Sequence, residues 1–166
     1  TRKKKAKTTT TFYAHRAIVQ KSSAILGELC KSEASVSITD VSTDIFRHVL
    51  HYLYGGKVSD EDMKEHAKDI IDAADKYGVV GLKLEAEASL VTATTITFDS
   101  AIDNLLYADG KNCALLKETV LDFIADNGKE AAKKLSFEHV PSTVIPYLLT
   151  AMSKGNETGG DTTSTE

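Results

Sequence analysis

The sequence predicts an α+β fold that is predominantly helical, and three observations carry the prediction. From His15 onward, apolar residues recur every three or four positions through most of the chain, the period of a buried helix face. Two short segments, residues 8–13 and 35–38, are instead enriched in β-branched Thr, Val and Ile, which suit a pleated surface. Only 2 of 166 residues are proline, so little interrupts a helix once begun.

Each element follows in order. Residues 8–13 read as a first strand. Ala17, Ile18, Ala24, Ile25 and Leu29 then predict helix from His15 to Leu29. Val36 and Ile38 share one face of a second short strand. Ile45, Phe46, Val49, Leu50 and Leu53 form a stripe behind an N-cap at Ser42 or Thr43, stopped by Gly55-Gly56. Residues 59–66 are polar and acidic and read as a connector. Another stripe, Ala67, Ile70, Ile71, Ala74 and Tyr77, ends at Gly78. Residues 82–90 alternate apolar and polar as a strand would, yet Leu82, Ala86 and Leu90 also stack at i, i+4, i+8. All are strong helix formers and none is β-branched, so this segment is a helix. Thr97 caps a helix through Asp109, ended by Gly110. Leu115, Leu116, Val120, Phe123 and Ile124 stripe the next, stopped by Asn127-Gly128. A last helix spans about 144–152 with Thr143 as N-cap, which places Pro146 where an amide has no intrahelical partner. The polar tail from Gly155 predicts disorder.

Charge narrows the function classes. The chain carries 20 Lys+Arg against 24 Asp+Glu, a net of −4. Five of the basic residues lie in 1–7, leaving 15 against 24 and a net of −9 over 8–166. A basic nucleic-acid coat is thereby excluded; a basic arm on an acidic body is not. Lys3, Lys4, Lys5 and Lys7 fit the loose pattern of a nuclear import signal, with a phosphate-contacting arm or a charged strand edge as the other readings. No apolar run approaches the roughly 20 residues of a membrane span, and no signal peptide opens the sequence. Cys30 and Cys113 are too few and too far apart for a disulfide framework or a cysteine zinc site, so a reducing, intracellular setting fits best, nuclear or cytoplasmic.

Catalytic and cofactor chemistry finds no foothold. His48 and His51 share a helix face at ligand spacing, but no carboxylate or cysteine completes a metal set. His15 stands at a strand-to-helix junction, suited to capping or packing; His66 and His139 fall in polar connectors. Cys30 lies near a helix end and Cys113 near a helix start, with no histidine beside either, so both read as structural. Asp60, Glu61 and Asp62 lack the spacing of a calcium loop. Glu85 and Glu87 face opposite sides of their helix and cannot act as a pair. No phosphate-binding glycine loop and no Gly-x-Ser-x-Gly occur. The sequence supports no enzyme, no cofactor and no metal.

Several strings together resemble a BTB/POZ domain followed by the helical extension known as the BACK or 3-box region. Phe12-Tyr13-Ala14-His15-Arg16-Ala17-Ile18-Val19, with Ser22 after it, is similar to the family's F-x-A-H-[RK]-A-[IV]-L…S motif. Ile38-Thr39-Asp40-Val41, then Ile45-Phe46, Leu50 and Tyr52-Leu53-Tyr54-Gly55-Gly56-Lys57-Val58, look like its next block. Ala73-Ala74-Asp75-Lys76-Tyr77 with Leu82-Lys83, Glu87 and Leu90 resembles the speckle-type MATH-BTB proteins, whose extension residues 95–124 also match without gaps. The resemblance covers about residues 8–152; the MATH part has no counterpart.

The resemblance implies a small sheet with a helical cluster, and a domain plan. Residues 1–11 form a basic and Thr-rich segment, partly the first strand region; 12–92 the BTB/POZ domain; 93–152 the BACK/3-box extension; 153–166 a disordered tail. It further implies an adaptor that docks a cullin-3 type ubiquitin ligase as a homodimer, presenting a substrate bound by another chain or region. Membranes and nucleic acid are not expected partners. Ile18 aligns with an apolar dimer-interface position. Leu29, Glu33 and Tyr54 are the candidates for the cullin interface, although Leu29 and Glu33 are spaced too far apart for the family's hydrophobic-x-Glu motif. The basic run stands where relatives carry an apolar strand. A BTB homo-oligomerisation or transcription-cofactor module, without a ligase role, is the alternative.

Overall fold

The computed structural model describes residues 9–31, 35–138 and 140–157. Nine helices form among them, and the chain divides into two compact units, Thr1–Leu84 and Glu85–Glu166.

In the first unit, the run expected to be one helix is two: α1 (Arg16–Ser22) and α2 (Ala24–Leu29). The break is at Ser23, extended at φ −146°, ψ 112°, where its buried hydroxyl both caps α2 and bonds to the end of α4. Ser23 Oγ accepts from the Leu26 amide at 3.0 Å and donates to the Tyr77 carbonyl at 2.5 Å. The two helices come close: a Cβ on Gly27 would sit 2.9 Å from the Gln20 Cα. Helix α3 (Thr43–Leu53) is capped by Ser42, as expected, with Ile45, Val49 and Leu53 buried, and the chain leaves it through Gly55 at φ 82°.

Helix α4 (Asp60–Lys76) overturns the connector expected at 59–66. Ser59 caps it, accepting from the Asp62 amide at 3.1 Å. Asp60, Glu61 and Asp62 sit in the first turn, where carboxylates complement the helix dipole, and Met63 is buried. The acidic residues therefore start a helix. The old boundary survives as a kink at His66 (φ −118°, ψ 18°), which is thus helical and half-buried instead of lying in a connector. Beyond it Ala67, Ile70, Ile71, Ala73 and Ala74 are buried, and Gly78 (φ 65°) turns the chain out. Helix α5 (Val80–Ala93) resolves the 82–90 conflict as expected: Leu82, Ala86 and Leu90 are buried while Leu84 is exposed.

The second unit packs α6 (Phe98–Lys111) on α7 (Ala114–Asp126), and α9 (Ile145–Glu157) on both α7 and α8 (Gly128–Lys134). Its core comprises Ala101, Leu105, Ala108, Leu116, Val120, Ile124, Ala131 and Leu148. Three expectations shift here. Gly110 does not end α6, which continues to Lys111; Asn112 takes the left-handed turn at φ 52°. Asn127-Gly128 is a junction and not a stop, since the Asn127 carbonyl accepts from Glu130 and Ala131 and opens α8. In α9, Val144 replaces Thr143 as the residue whose carbonyl starts the helix, and the helix runs on to Glu157, past the Gly155 where the polar tail was expected to begin. Residues 158–166 lie outside the described residues.

No strand forms among the described residues. Residues 9–13 and 35–38 have strand-like side chains but no backbone ladder to a partner there, and a strand without a ladder is only irregular chain. β-branched composition reports what a residue tolerates, not whether a neighbouring strand is in place.

Candidate docking surface

The described residues contain no group of three or more His, Cys, Asp or Glu able to hold a metal. His48 is half-buried and His51 exposed on α3. Both cysteines are free thiols: Cys30 is half-buried at the α2 C-cap, and Cys113 is fully buried ahead of α7. One shallow depression in the second unit is lined by Ala108, Asp109, Asn112, Cys113 and Lys117, but there Lys117 is already bonded to Asp109 at 2.6 Å. No helix of the described residues is long and apolar enough to cross a membrane.

What the first unit does offer is exposed apolar surface. Leu29, the last residue of α2, is 43% exposed; Tyr54, the C-cap of α3, is 44% exposed. Ile18 on α1 is half-buried. Glu33 and the run Lys3, Lys4, Lys5 and Lys7 lie outside the described residues.

Tyr54 is held in place. Its Oη accepts from the His15 backbone amide at 2.7 Å and lies 2.9 Å from His15 Nδ1, with the two rings 5.9 Å apart. A few residues upstream, Phe12 packs edge-on against Phe46 at 5.7 Å, and Phe46 likewise against Tyr77 at 5.8 Å. The segment entering α1 is therefore pinned to α3 at both ends. Between the pins Tyr13 is 93% exposed. Tyr77 is buried and donates to Asp40 Oδ1 at 3.3 Å, while Lys76 pairs with the same carboxylate. Burial pushes the Tyr77 phenol above its ordinary range.

The sequence reading missed other exposed apolar residues. Ile25, 44% exposed, stands one turn before Leu29 and on the same side of α2; the two stood in one helical stripe in the sequence, and neither is buried. Val80 and Leu84 repeat this spacing on α5. The available signal for Leu84 was its absence from the helical stripe of Leu82, Ala86 and Leu90, which puts it on the opposite side of α5. For Ile25 there was none, because the break at Ser23 re-aims α2 relative to α1.

The BTB/POZ domain family model matches residues 5–94. The chain belongs to the BTB/POZ family. Two curated relatives from Mus musculus agree. TD and POZ domain-containing protein 3 is 31% identical over 128 residues, covering 74% of this chain and 34% of the relative. TD and POZ domain-containing protein 1 is 27% identical over 135 residues, covering 78% and 36% respectively. The chain thus spans about a third of the length of these relatives. A BTB/POZ domain is a protein-interaction module, and such domains commonly self-associate and bind partner proteins. That places the interest of this chain in its exposed apolar residues.

Proposed function

We propose that this BTB/POZ chain is an adaptor that docks a cullin-3 type ubiquitin ligase and brings to it a substrate held by another region or chain. The carrying observation is the pair of exposed apolar side chains at helix ends, Leu29 and Tyr54, within a set of exposed apolar residues of the first unit that also includes Tyr13, Ile25, Val80 and Leu84. Tyrosine is among the side chains that supply most of the energy of a docking interface. Glu33 joins them as the acidic member of the cullin-facing set. The mechanism is positional and needs no catalytic group: tethering raises the effective concentration of substrate at the ligase.

Self-association through Ile18 doubles the tether, and half-burial leaves that side chain available on α1. On this reading the BTB/POZ domain spans 12–92 and is followed at 93–152 by a speckle-type BACK extension. Lys3, Lys4, Lys5 and Lys7 serve nuclear import. The helices α6 to α9 support an extension of this kind, because a bare dimerisation domain does not require a second compact unit.

Calorimetry with the cullin-3 amino-terminal region tests the docking. Micromolar or tighter binding that is lost on Leu29→Asp or Tyr54→Ala is the expected result, and no binding by the intact chain sinks it. Light scattering before and after Ile18→Lys tests the dimer; an unchanged dimeric mass removes Ile18 from the interface.

A further inference from the structure

We infer that His15 is the positioning residue of Tyr54: it ties up the phenol hydroxyl, so that a docking partner meets Tyr54 as a fixed apolar ring and not as a hydrogen-bonding group. The inference rests on the docking reading above and adds which chemistry the partner must present at this point, an aliphatic groove with no polar group reserved for the hydroxyl.

The geometry is specific. His15 is the N-cap of α1, yet its side chain makes no capping bond to that helix. It reaches 39 residues along the chain to the Tyr54 hydroxyl. A backbone amide can only donate, so the His15 N–H fixes Oη as an acceptor at 2.7 Å. His15 Nδ1 lies 2.9 Å from the same oxygen, taking the phenol proton where the ring carries its own on Nε2 and donating a second bond to Oη where it carries it on Nδ1. Either way the hydroxyl makes two bonds within the chain, and a partner that used it would compete with His15. The 60° tilt between the rings leaves Tyr54 44% exposed while its tip is anchored. Because the tyrosine is already immobilised, the ordering cost of a free side chain does not fall on binding, an advantage of about two- to tenfold in affinity.

The test uses the full chain, calorimetry with the cullin-3 amino-terminal region, and spectra of the free protein carrying ring-¹³C tyrosine, the Tyr54 signal being the one lost in Tyr54→Phe. His15→Ala is expected to shift or broaden the Tyr54 signal and to weaken docking about two- to tenfold. His15→Asn, whose side-chain oxygen can stand where Nδ1 does, restores both. The double variant His15→Ala/Tyr54→Phe binds no more weakly than Tyr54→Phe alone. An unshifted Tyr54 signal in His15→Ala overturns the inference. So does a double variant whose loss is the product of the two single losses, since His15 then acts on its own. Absence of docking by the unaltered chain overturns the docking reading instead, and the ring signals still decide whether His15 holds Tyr54.

Discussion

Replacing Glu87 by alanine removes a carboxylate that closes the start of α7 from another helix. Glu87 lies on α5, is 3% exposed, and its Oε1 accepts from the amides of Leu115 at 2.7 Å and Leu116 at 3.0 Å. Those amides are in the first turn of α7, where no carbonyl of the helix can reach them, and the N-cap residue, Cys113, contributes no side-chain bond. Hydrogen bonds to a charged group contribute about 1.5–3 kcal/mol each, and the negative charge gains a further ~0.5–1 kcal/mol from the helix dipole. Against this stands the cost of keeping a carboxylate out of water, several kcal/mol in a buried site. We set the net loss in Glu87→Ala at about 3 kcal/mol, since one buried and one half-buried donor are left unpaired. For a chain of this size that lowers the melting temperature by roughly 6–12 °C. Glu87→Gln keeps an acceptor oxygen without the charge and should lose about 1 kcal/mol. The assays are urea unfolding followed by circular dichroism, and amide hydrogen exchange at Leu115 and Leu116, which quickens in the alanine variant. A loss below about 0.5 kcal/mol in Glu87→Ala, or unchanged exchange at both amides, refutes the reasoning.

Three further outcomes follow from the same geometry. Ser23→Ala should cost about 1–2 kcal/mol in urea unfolding, because it removes the α2 cap and leaves the buried Tyr77 carbonyl without its hydroxyl donor. Tyr77 has its folded pKa raised by burial, so above the ordinary phenol value of about 10 the unfolded chain releases its proton first. Stability is therefore intact below that pH and falls as pH rises toward the folded value, and Tyr77→Phe should flatten this alkaline decline in pH-dependent unfolding. Glu130 on α8 is held below the usual carboxylate range by its hydrogen bond from Lys134 and by that residue's charge. In an NMR titration Lys134→Ala should bring the Glu130 midpoint back up.

The helices were legible because burial leaves a period, and the capping serines were legible where a stripe followed them. Ser42 is the clear case: a side-chain acceptor ahead of Ile45, Val49 and Leu53 could mean little else. The failures share a cause. Ser59 was the same signal, but the stripe behind it begins with three acidic residues, so polarity was read as loop when it marked the favourable pole of α4. Gly110 and Gly128 were taken as stops, yet both sit within helices and neither carries the left-handed turn, which falls to Asn112. The buried side of α1 and α2 was not legible: Ile25 and Leu29 stood in one helical stripe, yet both are exposed, while Val19 and Leu26 are buried. His15 on Tyr54 and Glu87 on the α7 amides join residues 39 and 28 or 29 positions apart, and no local pattern encodes such a meeting. The missing ladder is of this kind too, since strand pairing belongs to two segments at once.

Ser23 bears on how this chain can vary in length. It is the whole connection between α1 and α2, and every polar group it owns is committed: its amide to Val19, its carbonyl to Gly27, its hydroxyl to Leu26 and Tyr77. Such a joint has no slack. One inserted residue there would undo the exit of one helix, the entry of the next and a tie to the end of α4 together. The stretch between α8 and α9 spends ten residues on the same task, with most of them exposed, and can absorb additions at its surface. Insertions engineered as labels or tags therefore belong between Leu135 and Val144, and the turn at Ser23 is where the chain will not accept them.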